Sequence, residues 1–308
     1  MNRHRAAGLA ALTLTAVLWG TTGTAATFAQ GAGPLAIGAV ALGLGGILQG
    51  VIAVPGLRRD SDALRRGAAT VAAGAVFVAV YPLAFYTSMH LAGVAVGSTI
   101  SLASAPLASG LLERLVDKTP LGGWWALSAV LGVAGSAMLC VATLQGGATS
   151  AGATVQGVLL GLVAGVSYAA YSRAVQRLLA RGVRRDAAMG SVFGAGGLLL
   201  MPVLVLTGAP LVASPQNAWV SAYMALVPMF CGYVLFGFGL TRVPASTATT
   251  VTLLEPAVAT VLAVLVVGER LSVTGWAGLG VLAVVLLILV LAPEPTTADA
   301  SRGPVRRL

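Results

Sequence analysis

Glu255 is the residue whose type and position most directly suggest chemistry. It is the only acidic residue well inside the long apolar stretches of the chain, near the middle of residues 244–266. A carboxylate at the centre of a membrane costs roughly 2.5–3.5 kcal/mol on insertion scales, so such a group usually faces a cavity, is protonated or has a partner. We therefore expect Glu255 to exchange a proton or a cation, or to bind the amine of a cationic molecule.

A structural interpretation of Glu255 stands beside the functional one. Pro256 follows it directly, and a proline loosens the helical hydrogen bonds around it. A buried glutamate at such a kink can hydrogen-bond to nearby backbone groups or threonine hydroxyls and serve the helix alone.

Two other polar side chains are candidates because of helical spacing. Thr252 shares the face of Glu255 at three residues' distance, together with small residues that would leave room beside the carboxylate. Ser101 lies on a related small and weakly polar face of residues 92–112. Threonine and serine often hydrogen-bond to their own helix, which is the plainer explanation for both.

Aromatic side chains predicted at mid-membrane depth are the remaining candidates for binding. Buried Tyr and Trp need partners for their O–H and N–H groups, so a wet cavity suits them better than lipid. Packing within the helix bundle is the alternative for each. Trp19 and Tyr168 rank first because they occupy similar positions in the two halves of the chain. The full set is Trp19, Tyr81, Phe85, Tyr168, Tyr171, Tyr233 and Phe236.

The chain that must position these residues is a membrane protein. Of its 308 residues, 57% are hydrophobic and only 9% charged, whereas ordinary soluble chains carry about 25% charged residues. Ten stretches are long and apolar enough to cross a bilayer as helices. They are residues 8–29, 33–54, 68–89, 93–112, 121–143, 155–172, 187–207, 218–240, 244–266 and 272–292.

The net charge of +9 follows a topological pattern. With these spans, every basic residue except Arg270 falls on one side, and the positive-inside rule then places both termini in the cytoplasm of a multi-pass protein of the cell (inner) membrane. Nucleic acid is not an expected partner, because charge serving that purpose would be concentrated in one run. The expected partner is the lipid bilayer.

Residues 92–112 align without gaps on residues 242–262, which brings Thr99 onto Thr249 and Pro106 onto Pro256. Five spans in each half is an odd number, so the second half must begin on the opposite face of the membrane. We predict an all-α membrane protein of ten transmembrane helices as two inverted five-helix repeats. The first repeat is residues 1–148, the second is residues 149–292, and residues 293–308 form a disordered cytoplasmic tail.

Three motifs resemble the EamA-type family of the drug/metabolite transporter superfamily. They are Leu18-Trp19-Gly20, the segment Leu254-Glu255-Pro256-Ala257 leading to Gly268-Glu269-Arg270-Leu271, and Gly275-Trp276-Ala277-Gly278. The resemblance covers about residues 8–292. It implies a ten-helix inverted-repeat carrier of small metabolites or drugs, commonly an exporter, with a central substrate cavity.

Several chemistries are not expected from the residues present. The only lysine is Lys118 and no P-loop pattern precedes it, so ATP hydrolysis by that arrangement is excluded. No paired acidic residues, nucleophile motif or metal-spaced His/Cys group lies at membrane depth, so we expect no enzyme, no catalytic residue, no metal and no cofactor. Phosphorylated substrates would lack a mid-membrane cation.

The sequence thus favours a secondary-active transporter, with export as the expected direction. Its substrate would be a small neutral, zwitterionic or cationic metabolite or drug, moved by alternating access, with proton coupling at Glu255. The alternative is a nontransporting membrane receptor or partner subunit, which would bind molecules without saturable flux.

Overall fold

The computed structural model describes residues 3–116, 123–145, 150–240, 242, 251–252 and 254–291, and these are almost entirely helical without any strand. Among them, seven helices are long and apolar enough to cross a membrane, and three further apolar helices are shorter. The prediction of an all-α membrane protein is confirmed. The count of ten spanning helices and the inverted repeat stay predictions, and residues 293–308 lie outside the described residues.

Fourteen α-helices are described. They are α1 (Arg3–Gly20), α2 (Thr22–Thr27), α3 (Pro34–Ile52), α4 (Val54–Arg59), α5 (Ser61–Arg66), α6 (Ala68–Ala92), α7 (Val94–Val116), α8 (Gly123–Gln145), α9 (Ala151–Ala180), α10 (Arg185–Thr207), α11 (Pro215–Met224), α12 (Gly232–Leu240), α13 (Leu254–Leu262) and α14 (Val273–Leu291).

Three of the described apolar stretches depart from regular α-helix, and one of these is π-helical over Ala263–Val267, directly after α13. The first stretch is interrupted at Thr21, between α1 and α2. Between α11 and α12 the backbone is π-helical over Ala225–Cys231, a segment that contains Pro228. A proline has no backbone N–H and its ring crowds the preceding turn, so it favours such a departure from regular geometry.

Glycines of α3 and α10 allow the two halves of the chain to approach backbone to backbone. A Cβ atom on Gly46 would lie 2.5 Å from the Phe193 carbonyl oxygen, and one on Gly197 would lie 2.6 Å from the Gly43 carbonyl oxygen. Small residues let membrane helices pack backbone to backbone, because lipid offers no hydrophobic gain from burying larger apolar side chains. These glycines therefore bring α3 and α10 together.

Helices α6 and α9 pack along each other, and α7 also packs on α9, while α8 pairs with α14. Large apolar side chains on the outer faces remain exposed, including Val205, Leu206 and Val273. A bundle surrounded by lipid has no need to bury them. The buried interior lies instead where α1, α3, α6, α9, α12 and α13 meet.

Candidate functional site

An enclosed cavity lies in this interior and is lined by residues from both halves of the chain. The volume of this cavity is about 20 Å³. A single water needs about 10–15 Å³, so the cavity has room for one or two water molecules. The lining consists of Trp19, Thr22, Leu42, Tyr81, Pro82, Phe85, Tyr86, Tyr168, Met229, Tyr233 and Glu255.

Trp19 is held at the end of α1 by a hydrogen bond to the irregular helix opposite. Its indole Nε1 donates to the carbonyl oxygen of Pro228 at 2.9 Å, and the side chain is 7% exposed. One helical turn earlier, Thr15 Oγ1 donates to the Gly232 carbonyl at 3.2 Å. Because both acceptors lie in or next to the π-helical segment, these two hydrogen bonds join α1 to irregular backbone.

Threonine hydroxyls at the helix break after α1 make hydrogen bonds next to the cavity. Thr21 Oγ1 and the Tyr223 hydroxyl are 2.6 Å apart and share a hydrogen bond. Thr22 Oγ1 donates to the Trp19 carbonyl at 2.7 Å, so this cavity-lining threonine bonds to its own helix. The hydroxyl of Thr22 therefore presents its oxygen to the cavity mainly as an acceptor.

Aromatic rings form most of the wall. Tyr81 stacks on Phe85 one turn further along α6, with ring centroids 5.4 Å apart. It also meets Tyr168 of α9 edge-on at 5.8 Å. Tyr233 of α12 packs on Trp19 at 4.9 Å, so the two halves contribute rings to one continuous aromatic surface. Such faces carry negative charge density that attracts cations.

Glu255 is the one acidic residue in this wall. It lies in the first turn of α13, is half-buried, and lines the cavity together with the aromatic rings. Gly20 allows α1 to approach it: a Cβ atom there would lie 2.9 Å from the Glu255 carbonyl oxygen and 2.7 Å from Val258 Cβ. No hydrogen bond or ion pair to the Glu255 carboxylate is recorded among the described residues.

The structure brings together six of the ten candidate residues from the sequence: Trp19, Tyr81, Phe85, Tyr168, Tyr233 and Glu255. The other four are outside the lining. Phe236 packs on Trp19, with ring centroids 5.4 Å apart. Tyr171 packs behind the lining against Tyr81 and Tyr168. Thr252 lies one turn before Glu255. Ser101 is buried and donates to the Gly97 carbonyl of its own helix at 2.7 Å.

Sequence reasoning gave no binding role to Leu42, Pro82, Tyr86 or Met229. Tyr86 directly follows Phe85 in the sequence, and both contribute to the lining. A cavity at the junction of several helices receives side chains from more than one helical face. A sequence signal existed only for Tyr86 and Pro82, through their closeness to Tyr81 and Phe85.

The end of the bundle opposite Arg185 is closed by two contacts between the halves. The backbone N–H groups of Val94 and Ala95, at the start of α7, donate to the two oxygens of Glu269, the latter at 3.0 Å. Asn217 Nδ2 donates to the carbonyls of Gln30 and Pro210, each at 2.8 Å.

Gly268 makes the first of these contacts possible. It has φ +79° and ends the π-helical segment Ala263–Val267. A positive φ is a glycine conformation, and the Glu269 N–H then bonds back to the Ala263 carbonyl at 3.0 Å. The turn directs the Glu269 carboxylate to α7.

No three His, Cys, Asp or Glu side chains lie close enough together to hold a metal ion within the described ranges. The site that the fold defines is therefore an aromatic cavity with one carboxylate, buried in an all-helical membrane protein.

Comparison with known proteins identifies the class more closely. The model of the EamA-like transporter family matches residues 155–291. A Bacillus subtilis protein named "Uncharacterized transporter YwfM" is 34% identical over 291 residues, which are 94% of this chain and 95% of that protein. A Clostridium kluyveri protein, also named an uncharacterized transporter, is 38% identical over 80 residues, a quarter of each chain.

The chain belongs to the EamA-like transporter family. The predicted resemblance is thereby confirmed, and the protein is a multi-pass membrane transporter rather than an enzyme. A solved crystal structure, 20% identical, superposes with a TM-score of 0.60 over 91% of this chain and 93% of that one. This likeness concerns the fold.

Proposed function

We propose that the protein is a secondary-active transporter that moves a small cationic or amine-bearing metabolite or drug through the central cavity. The observation that carries the proposal is that Glu255 shares one enclosed space with Trp19, Tyr81, Tyr168 and Tyr233. A carboxylate supplies the opposite charge, and aromatic faces add cation–π attraction worth up to about 2 kcal/mol when desolvated. Within the neutral, zwitterionic or cationic substrates expected from the sequence, this pairing favours a molecule that carries positive charge.

Proton exchange at Glu255 is the proposed coupling step. A carboxylate lined by aromatic rings has its charge balanced either by a proton or by a bound cation. Binding of the cationic substrate would then release the proton, and rebinding of the proton would expel the substrate. In the proposed topology both termini are cytoplasmic. A proton gradient directed into the cell would then drive export of the substrate.

The small volume of the cavity is consistent with alternating access. A space for one or two waters is below the size of a drug or metabolite, so helices must separate for substrate to enter. The irregular backbone at Thr21 and around Pro228 borders the cavity and offers places where such a movement can occur.

Transport by reconstituted protein tests this function. Proteoliposomes would be assayed for uptake of tetraethylammonium and other organic cations with and without a pH gradient, with proton release followed by an internal pH dye. We expect Glu255→Gln to reach the membrane normally and to lose the pH dependence. The control Asp62→Asn, an exposed carboxylate on α5, should behave as the natural protein. Unchanged pH-dependent flux in Glu255→Gln would rule out the coupling role.

A further inference from the structure

A second and larger cavity opens where α3, α10 and α12 converge, at the end of the bundle where α10 begins. Its volume is about 250 Å³ by the same measure as the central cavity. Tyr233 lines both cavities. The larger cavity, called here the vestibule, approaches the size of the smallest ligand pockets, which begin at about 300 Å³.

The polar side of the vestibule offers hydrogen-bond donors. Gln49 lines it and is 6% exposed, and its Nε2 has no hydrogen-bond partner among the described residues. Arg185, the first residue of α10, also lines it and donates through Nη1 to the Gly237 carbonyl at 3.3 Å. A guanidinium has five N–H donors, so this bond leaves most of them for a ligand.

The one carboxylate in the vestibule lining already has a cation beside it. Asp186 Oδ1 accepts a hydrogen bond from Arg184 Nε at 3.2 Å, and both side chains are about half-exposed. Arg184 thus compensates Asp186, while Arg185 contributes positive charge to the cavity. The N-terminus of α10, a helix of 23 residues, adds a partial positive charge at the same place.

The rest of the wall is apolar. Met189 of α10, Val234 and Phe236 of α12 and Ile52 of α3 face the same space. A ligand that fits must therefore combine a group that accepts hydrogen bonds and carries negative charge with a hydrocarbon body. A carboxylate meets the first requirement, because it can take paired N–H donors from a guanidinium and a further donor from an amide.

We propose that the vestibule is a binding site for small amphipathic carboxylates, with Arg185 and Gln49 holding the carboxylate and Met189, Val234 and Phe236 contacting the hydrocarbon part. The site is distinct from the cavity of Glu255 and does not require proton coupling there. Since Tyr233 borders both spaces, a ligand in the vestibule would contact a side chain that also lines the central cavity.

Binding of three probes of similar shape to the full-length protein in detergent tests the proposal. The probes are 4-methylpentanoate, its neutral amide 4-methylpentanamide, and 4-methylpentylamine, measured by isothermal titration calorimetry. We expect the carboxylate to bind about tenfold or more tightly than the amide, a difference of about 1.4 kcal/mol, and the amine not to bind at the vestibule.

Variants locate the binding. Arg185→Gln should weaken binding of 4-methylpentanoate about tenfold, Arg185→Lys less, and Gln49→Met by several-fold, because each removes donors. Arg181→Gln is the matched control, since it removes the same charge from an exposed side chain outside the lining. Size-exclusion profiles identify any variant that misfolds. If the Arg185 variants misfold, Gln49→Met and the comparison of the three probes still test the proposal.

Two results would overturn the vestibule proposal: equal binding of the three probes, or unchanged affinity in Arg185→Gln and Gln49→Met. Absence of any binding at millimolar probe would do the same. Glu255→Gln separates this proposal from the proposed function, because it should abolish pH-dependent cation flux while leaving the affinity for 4-methylpentanoate unaltered.

Discussion

The indole N–H of Trp19 donates to the carbonyl oxygen of Pro228 at 2.9 Å, which joins the first helix to the middle of a π-helical segment more than two hundred residues away in sequence. A tryptophan in this position does two things at once. Its ring lines the central cavity, and its polar end ties that ring to the irregular backbone opposite. One side chain of the cavity wall is therefore hydrogen-bonded directly to the π-helical segment Ala225–Cys231.

Trp19→Phe keeps an aromatic ring and removes this donor. We expect a loss of about 1–3 kcal/mol in the free energy of unfolding, because a buried acceptor loses a partner. Thermal unfolding in detergent, followed by light scattering or a thiol-reactive dye, would measure it. Trp219→Phe is the control, since Trp219 is 76% exposed. An equal effect of the two substitutions would mean that the hydrogen bond contributes nothing.

Glu269→Gln tests the contact between the two halves at the end opposite Arg185. The neutral amide can no longer accept from both N–H groups of α7 and loses its attraction to the positive helix end. We expect destabilisation of about 0.5–2 kcal/mol, measured by denaturant titration of the purified protein. Arg270→Gln, a charge change in the exposed neighbouring residue, should leave the midpoint unchanged. The contact is structurally unimportant if both variants match the natural protein.

Gly46→Ala tests the backbone approach of α3 and α10. The added methyl would meet the Phe193 carbonyl oxygen at 2.5 Å, so the helices must separate. Overpacking of this kind costs about 1–3 kcal/mol. Gly280→Ala on α14 has open space around the added carbon and serves as control. Thermal unfolding should place Gly46→Ala well below Gly280→Ala, and the reverse order would contradict the packing described.

Asn217→Leu removes two hydrogen bonds that close the same end of the bundle as Glu269. Asn217 is 3% exposed, and both of its acceptors are backbone carbonyls, those of Gln30 and Pro210. We expect a loss of roughly 1–3 kcal/mol and faster hydrogen exchange around Gln30.

Gln216→Leu provides the comparison for Asn217→Leu. Gln216 also donates to a backbone carbonyl, that of Phe28 at 2.9 Å, but its side chain is exposed, so water can replace the bond. The expected cost is correspondingly small. Comparable destabilisation by the two substitutions would show that burial does not strengthen the Asn217 contacts.

Much of the lining of the central cavity was predictable because its strongest sequence signals are local. A carboxylate in the middle of an apolar stretch is conspicuous whatever its neighbours, and so is a tryptophan at mid-membrane depth. Glu255, Trp19 and Tyr168 were predicted on these grounds, and all three line the central cavity. The motif around Gly268 and Glu269 was also visible, although its role as a cap on α7 was not.

The vestibule was not predictable from the same signals. Arg185 reads in sequence as one of many basic residues flanking a span, and Gln49 as a single polar residue near the end of another. Only the packing of α3 on α10 brings them into one cavity, and that packing depends on glycines whose partners lie far away along the chain.

By itself, the sequence determined that this is an all-helical membrane protein, which stretches are apolar enough to cross the bilayer, and which family it resembles. These follow from hydropathy and short motifs, because the cost of exposing a backbone polar group or a charge to lipid is set residue by residue. The tertiary structure alone decided where α1 breaks, where the helix around Pro228 turns π-helical, and which rings meet around Glu255. Those features depend on how helix faces fit against one another, and that fit is a property of side chains distant in sequence.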